Sequence, residues 1–106
     1  MIDEQTLEQI VTRVVSTTRP SRVILFGSYG RGEADEGSDL DLMVVLPKVA
    51  DKYGEMVRSH EAIGNLEVGV DLLVYSDAEF ERRSKVPGTV PYWAREEGQQ
   101  LYATAH

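Results

Sequence analysis

The chain has no cysteine, which excludes disulfides and thiolate metal sites and leaves the redox character of its compartment nearly unconstrained. No apolar run approaches the roughly 18 to 20 residues of a membrane-spanning helix. The amino terminus, Met1-Ile2-Asp3-Glu4, carries no basic segment of the kind that opens a targeting leader. These absences lead to the expectation of a cytoplasmic protein with no membrane attachment. Positive charge is scarce too: 11 Lys+Arg stand against 18 Asp+Glu, for a net charge of -7. Polynucleotide phosphates need clustered Lys and Arg to neutralise them, so no nucleic-acid partner is expected. Repeats, linkers and low-complexity tracts are also missing, and 106 residues suit one domain, 1–106, with a modest core.

What the chain does have is concentrated. Glu33, Asp35, Glu36, Asp39 and Asp41 fall within nine positions, and only Arg31 stands close in sequence to offset them. A bound cation would relieve that crowding. On either side lie apolar runs, Val23-Ile24-Leu25-Phe26 and Leu42-Met43-Val44-Val45-Leu46, which read as buried strands. Between them sits Gly27-Ser28-Tyr29-Gly30-Arg31-Gly32. A strand that ends in Gly-Ser and turns into a helix aims backbone N–H groups and a helix dipole at whatever lies above the turn, and anions bind there. Gly27 and Gly30 let the backbone approach a ligand, and the Ser28 hydroxyl can donate to a phosphate oxygen. Asp39 and Asp41, two apart on a strand, leave the same face and converge on one point, where a divalent cation would be drawn.

The remaining elements follow from periodicity and punctuation. Leu7, Ile10, Val11, Val14 and Val15 have helical spacing, Thr6 with Gln9 resembles a capping box, and this helix ends before Pro20. A strand over 22–27 leads into the glycine turn, whose short helix cannot run far past Gly32. In the next strand Leu40, Leu42, Val44 and Leu46 share the wholly apolar face, expected to be the core, while Asp39, Asp41, Met43 and Val45 share the other. Pro47 ends that strand. Val49, Tyr53, Met56, Val57, His60 and Ile63 mark one side of a second long helix closed by Gly64-Asn65, with His60 expected to be packed. A third strand, 67–75, puts Val68, Val70, Leu72 and Val74 on one face. Asp71 takes the other, interrupting a hydrophobic strand where a buried lone carboxylate is costly unless paired or metal-bound. Beside the second strand it would complete a carboxylate triad, with open space left by Gly69. Ser76 with Glu79 starts a helix to about Lys85, Val86-Pro87-Gly88 breaks it, and Thr89 caps a last helix to Glu97. Gly98 stops that helix, and 99–103 form a short extended tail. Tyr92 and Trp93 read as core or partner-facing, Arg82, Arg83 and Lys85 as a solvated face, and His106 as a disordered end. Tyr29 either stacks on a base or covers the turn.

Three familiar motifs are excluded. Gly27, Gly30 and Gly32 give G-x-x-G-x-G, the wrong spacing for a dinucleotide fingerprint, and no second strand ends in a ribose-binding acid at the expected distance. A P-loop would need a lysine that this segment lacks. An EF-hand loop would need glycine where Leu40 stands and glutamate where Leu46 stands.

Gly27-Ser28, ten residues, Asp39-x-Asp41 and a later strand bearing Asp71 together resemble the nucleotidyltransferase superfamily typified by DNA polymerase beta. The chain is more closely similar to the minimal nucleotidyltransferase family, including its antitoxin members, through Gly27, Ser28, Arg31, Gly32, Ser38, Asp39, Asp41, Leu42 and Asp71. The closing Ala94-Arg95-Glu96-Glu97-Gly98 and Leu101-Tyr102 extend the likeness over nearly the whole chain. The resemblance implies an α/β (α+β) fold, a small mixed sheet with helices packed on it. It also implies catalytic and metal-holding roles for Asp39, Asp41 and Asp71, with two magnesium ions. Nucleotide phosphates would bind at Gly27, Ser28, Arg31, Gly32 and Ser38, and ATP or another nucleoside triphosphate would be the substrate. The acceptor it implies is a tyrosine on a helical partner, a ribonuclease toxin of the HEPN class. A non-catalytic module that neutralises a partner, and transfer to a small molecule, are the alternatives. A homo-oligomer is compatible with all of them.

Overall fold

The computed structural model describes residues 2–66 and 68–104; Met1, Glu67, Ala105 and His106, and with them the first position of the expected third strand and the expected disordered end, lie outside the described residues. The first helix, α1 (Glu4–Thr18), starts three residues earlier than the Thr6–Gln9 pattern suggests, because Asp3 is the cap and accepts from the Thr6 N–H at 2.7 Å. It ends with Arg19 in the left-handed region, one residue before Pro20. Strand β1 (Arg22–Phe26) runs directly into a single-turn helix, α2 (Gly27–Gly30). After the acidic loop come β2 (Leu40–Leu46), α3 (Lys52–Ile63), β3 (Val70–Ser76), α4 (Asp77–Arg83), α5 (Val90–Glu97) and β4 (Gln99–Ala103). Ser76 and Thr89 cap α4 and α5 as their spacing predicts, accepting from the Glu79 and Tyr92 N–H groups.

The four strands form one mixed sheet in the order β3-β2-β1-β4. The β1–β2 and β1–β4 pairs are antiparallel, whereas β2 and β3, joined by the α3 crossover, are parallel. The carboxyl-terminal segment is therefore a strand pairing with β1, with a register shift between Val23 and Ile24.

Both faces of the sheet are covered. Leu40, Leu42, Val44 and Leu46 join Val23, Leu25, Leu72 and Val74 under α1 and α3, meeting Ile10, Val14 and Ile63. The other face is covered as well: Met43 and Val45 are fully buried with Ile24, Tyr75, Phe80 and Ala94, beneath α4 and α5. A strand buried on both faces reads as a continuous apolar run, and 42–46 is one. The stripe expected on the second helix is rotated. Met56, Ser59 and Ile63 face inward, whereas Tyr53, Val57 and His60 are exposed. Two apolar stripes lie side by side on α3. The one bearing the small Ser59, whose hydroxyl folds back onto the Glu55 carbonyl, faces the sheet and α1. His60 is thus a solvated residue.

Candidate active site

Register brings the acidic residues together. Phe26, the last residue of β1, pairs with Asp41, and Asp41 pairs in turn with Asp71 across the parallel β2–β3 ladder. Asp41 and Asp71 consequently leave the same face, the one shared with Met43 and Tyr75. They sit at the end of the sheet where β1 gives way to the glycine turn.

Asp39 lies one residue ahead of β2, just outside the strand on which its spacing places it, and its charge still acts on Asp41. The Leu40 N–H donates to the Gly69 carbonyl at 2.8 Å, and the Asp39 carboxyl occupies the space over Gly69, where a Cβ would meet its Cγ at 3.1 Å. The opening left by Gly69 is thus filled by Asp39. Asp71 is exposed rather than buried, because β3 is an edge strand and Asp71 stands near its open end. The cost of a buried lone carboxylate therefore does not arise. Among the described residues no three carboxylate or imidazole groups stand close enough to hold a metal ion as they are. Asp41 and Asp71 form a pair, with Asp39 to one side.

Burial pushes the Asp41 carboxyl up to about 6, helped by the Asp71 charge, a hydrogen bond shared with Asp71 and the charge of Asp39; Arg31 pulls weakly the other way. A carboxyl raised in the fold contributes stability that is complete below its ordinary value near 3.8 and is lost as pH rises through about 6. At neutral pH the ionised site works against the fold. A cation would reverse that.

Gly27 has a φ of 65°, and a Cβ there would sit 2.9 Å from the Asp41 Cγ, so both backbone conformation and space require glycine. No side chain caps the first turn of α2. The Ser28 hydroxyl makes no hydrogen bond among the described residues, while its carbonyl accepts from the Glu33 N–H at 2.8 Å. Ser38 is engaged elsewhere: its hydroxyl closes the acidic loop, accepting from the Asp35 N–H at 3.0 Å and donating to the Asp35 carboxylate at 3.2 Å. Gly32, at a φ of 73°, lets the chain leave the turn. Tyr29 covers the turn, since its ring packs on the α1-side core and its hydroxyl accepts from the Ile2 N–H at 3.2 Å.

Arg31 reaches Glu33 at 3.6 Å and Glu97 at 3.8 Å, distances longer than those of charge-assisted hydrogen bonds. With Phe26, Gly27, Trp93 and Glu97 it lines a cavity of about 470 Å³. Trp93 and Glu97 are additions that sequence reasoning did not place at the site. Their only signal is a four-residue spacing on one face of α5. A larger hollow of about 610 Å³ at the opposite end of the sheet, lined by Ser21, Arg22, Asp77 and Phe80 among others, holds none of the expected site residues.

A glycine turn at the end of a strand, opening onto aspartates paired across a mixed sheet with helices on both faces, is the architecture of a polymerase-beta-like nucleotidyltransferase. The model of the nucleotidyltransferase domain matches residues 7–86, more than half of the chain. The chain belongs to that family, whose minimal form it resembles. Among solved structures, a protein from Sulfolobus solfataricus assigned as a nucleotidyltransferase is 28% identical, with 92% of this chain and 86% of that chain covered and a TM-score of 0.59. A toxin–antitoxin protein crystallised with AMP-PNP is 22% identical, covering 92% of this chain and 73% of that one at a TM-score of 0.59. Spectinomycin adenyltransferase from Enterococcus faecialis, with ATP and spectinomycin, shares the fold at 14% identity and a TM-score of 0.60, over 96% of this chain and 55% of that chain. No helix among the described residues is long and apolar enough to cross a membrane.

Proposed function

We propose that this protein transfers a nucleoside monophosphate, AMP foremost, from a magnesium-bound nucleoside triphosphate to a tyrosine hydroxyl of a helical partner protein of the HEPN toxin class. The single observation that carries the reading is the Asp41–Asp71 pair in register beside Gly27. The likeness to a toxin–antitoxin protein crystallised with AMP-PNP supports the biological setting.

The donor set fits magnesium. It is all oxygen, it is anionic, and its central member is pushed above the ordinary carboxylate range by burial and then by the acidic charges around it, which a cation would offset. Asp39, Asp41 and Asp71 would hold the metal, completed by substrate phosphates and water. When bound, magnesium neutralises phosphate charge and lowers the pKa of the attacking hydroxyl. The chain's own residues do the rest. Gly27 and Ser28 receive the terminal phosphates at the uncapped turn, and Arg31, loosely held by two glutamates, turns toward them. The acceptor oxygen bonds to the alpha-phosphorus in line with the departing pyrophosphate. Asp71, the more exposed of the pair, takes the hydroxyl proton as the bond from phosphorus to the bridging oxygen breaks.

Incubation with magnesium, alpha-labelled ATP and the helical partner should place label on a partner tyrosine, and Asp71→Asn should remove it. Label moving only to a small-molecule hydroxyl would redirect the acceptor assignment. Nucleotide binding without transfer to any acceptor would leave a non-catalytic partner-binding module.

Metal binding should also depend on pH in a defined direction. Ionised Asp41 is the binding form, so the rise in melting temperature on adding magnesium should be small at roughly pH 5 and grow as pH passes about 6. A magnesium shift that is flat across this range, read by thermal melting, would exclude Asp41 as a ligand.

A further inference from the structure

Trp93 is close to half exposed although it is the chain's single tryptophan and stands on a helix whose neighbours Pro91 and Ala94 are buried. Exposing so large an apolar surface has no packing rationale in α5. The indole is nevertheless held in place, since the Tyr92 ring meets it at 83° with centroids 5.1 Å apart. It lies on the wall of the cavity of about 470 Å³ that also contains Gly27 and Arg31. Its lining therefore includes two aromatic residues, Phe26 and Trp93, together with Gly27 of the turn. Its cation, Arg31, is tied only by ion pairs of 3.6 and 3.8 Å. An aromatic face, a guanidinium in long ion pairs and a glycine turn beside paired carboxylates together match the parts of a nucleoside polyphosphate.

Resting on the nucleotide-binding reading above, we infer that Trp93 is the platform on which the nucleobase of the bound triphosphate stacks. The phosphates occupy the Gly27–Ser28 turn within reach of Arg31. The base then lies along the outer face of α5, against the indole. Stacking on a preformed ring needs no hydrogen-bond readout, so every base gains from it.

The composition supplies the test, because any tryptophan fluorescence reports Trp93 alone. ATP with magnesium should quench that fluorescence, and inorganic tripolyphosphate with magnesium, which has no base, should not. By calorimetry, Trp93→Ala should weaken ATP binding about ten-fold, a typical value for losing one stacked base, and Trp93→Phe should restore most of it. Tripolyphosphate should bind both variants as it binds the unaltered protein. Equal weakening of both ligands in Trp93→Ala would make the residue structural and overturn the assignment. Unchanged ATP affinity with lost labelling of the acceptor would overturn it in favour of partner docking. If the unaltered protein binds neither ligand, the nucleotide reading of the whole site fails, an outcome distinguishable from binding that ignores Trp93.

Discussion

Replacing Asp41 with Asn should abolish transfer and stabilise the metal-free protein at the same time. Transfer should fall by about 10³-fold or more, the scale on which removing a group that organises transition-state charge is felt. Folding stability should move the other way. Asp41 is driven up to about 6 by burial, by Asp71 and by Asp39, so at pH 7 to 8 its ionised form opposes the fold. Asn keeps the shape and removes the charge. Because the site is partly open to water, screening reduces the gain to about 1 kcal/mol. The gain should fade as pH falls below about 6, where the native carboxyl is already protonated. Denaturant unfolding at two pH values, beside a transfer assay, separates the two effects. A variant that is less stable at pH 8, or still active, would remove Asp41 from the centre of the site.

Gly27→Ala should be damaging on both counts. The backbone at Gly27 is left-handed, and an L residue forced there costs about 1 to 2 kcal/mol. The added methyl also falls against the Asp41 carboxyl, so the side chain must swing away. A displacement of about 1 Å at a reacting group costs roughly 10²-fold in rate, and transfer should drop by at least that much. The opposite stability signs of these two variants are diagnostic. One relieves a crowded charge; the other strains the turn that confronts it. A Gly27→Ala protein with unchanged melting temperature and rate would show that the turn adapts freely, contrary to its φ and its contact with Asp41.

How much of this was legible beforehand differs from one residue to the next. Asp41 and Asp71 could be read because each interrupts an apolar strand, and a two-residue period fixes the face from which each projects. Their pairing also required β2 and β3 to be parallel neighbours, which the intervening helix implies. The strand bearing Asp39 was drawn one residue too long, because period-two reasoning extends a strand for as long as alternation continues, yet the Asp39 charge still acts on Asp41. Similarly, the α3 stripe was read from hydrophobicity alone. Helix approach is decided by size as well, and Ser59 wins the buried position over Tyr53 and Val57. Trp93 and Glu97 were out of reach for another reason. Their place beside Gly27 depends on α5 lying against β1, a contact between segments some 65 residues apart with no local trace. The same is true of β4, legible as an extended tail but not as the partner of β1.

That pairing bears on when the site becomes complete during synthesis. Strand β1 lies inside the sheet, yet one of its two neighbours is β4, whose residues follow every other described element in the chain. On a ribosome, β1, β2 and β3 can pair as soon as they emerge, bringing Asp41 opposite Asp71. The glycine turn is different. The Gln99 side chain donates to the Gly30 carbonyl, and Gly30 packs close to Gly98, so part of what fastens the turn comes from the segment around β4. The nascent chain thus brings its acidic pair together before the glycine turn gains this last contact. That fastening is a long-range contact, made between residues 69 positions apart, and cannot form until β4 has followed the rest of the sheet.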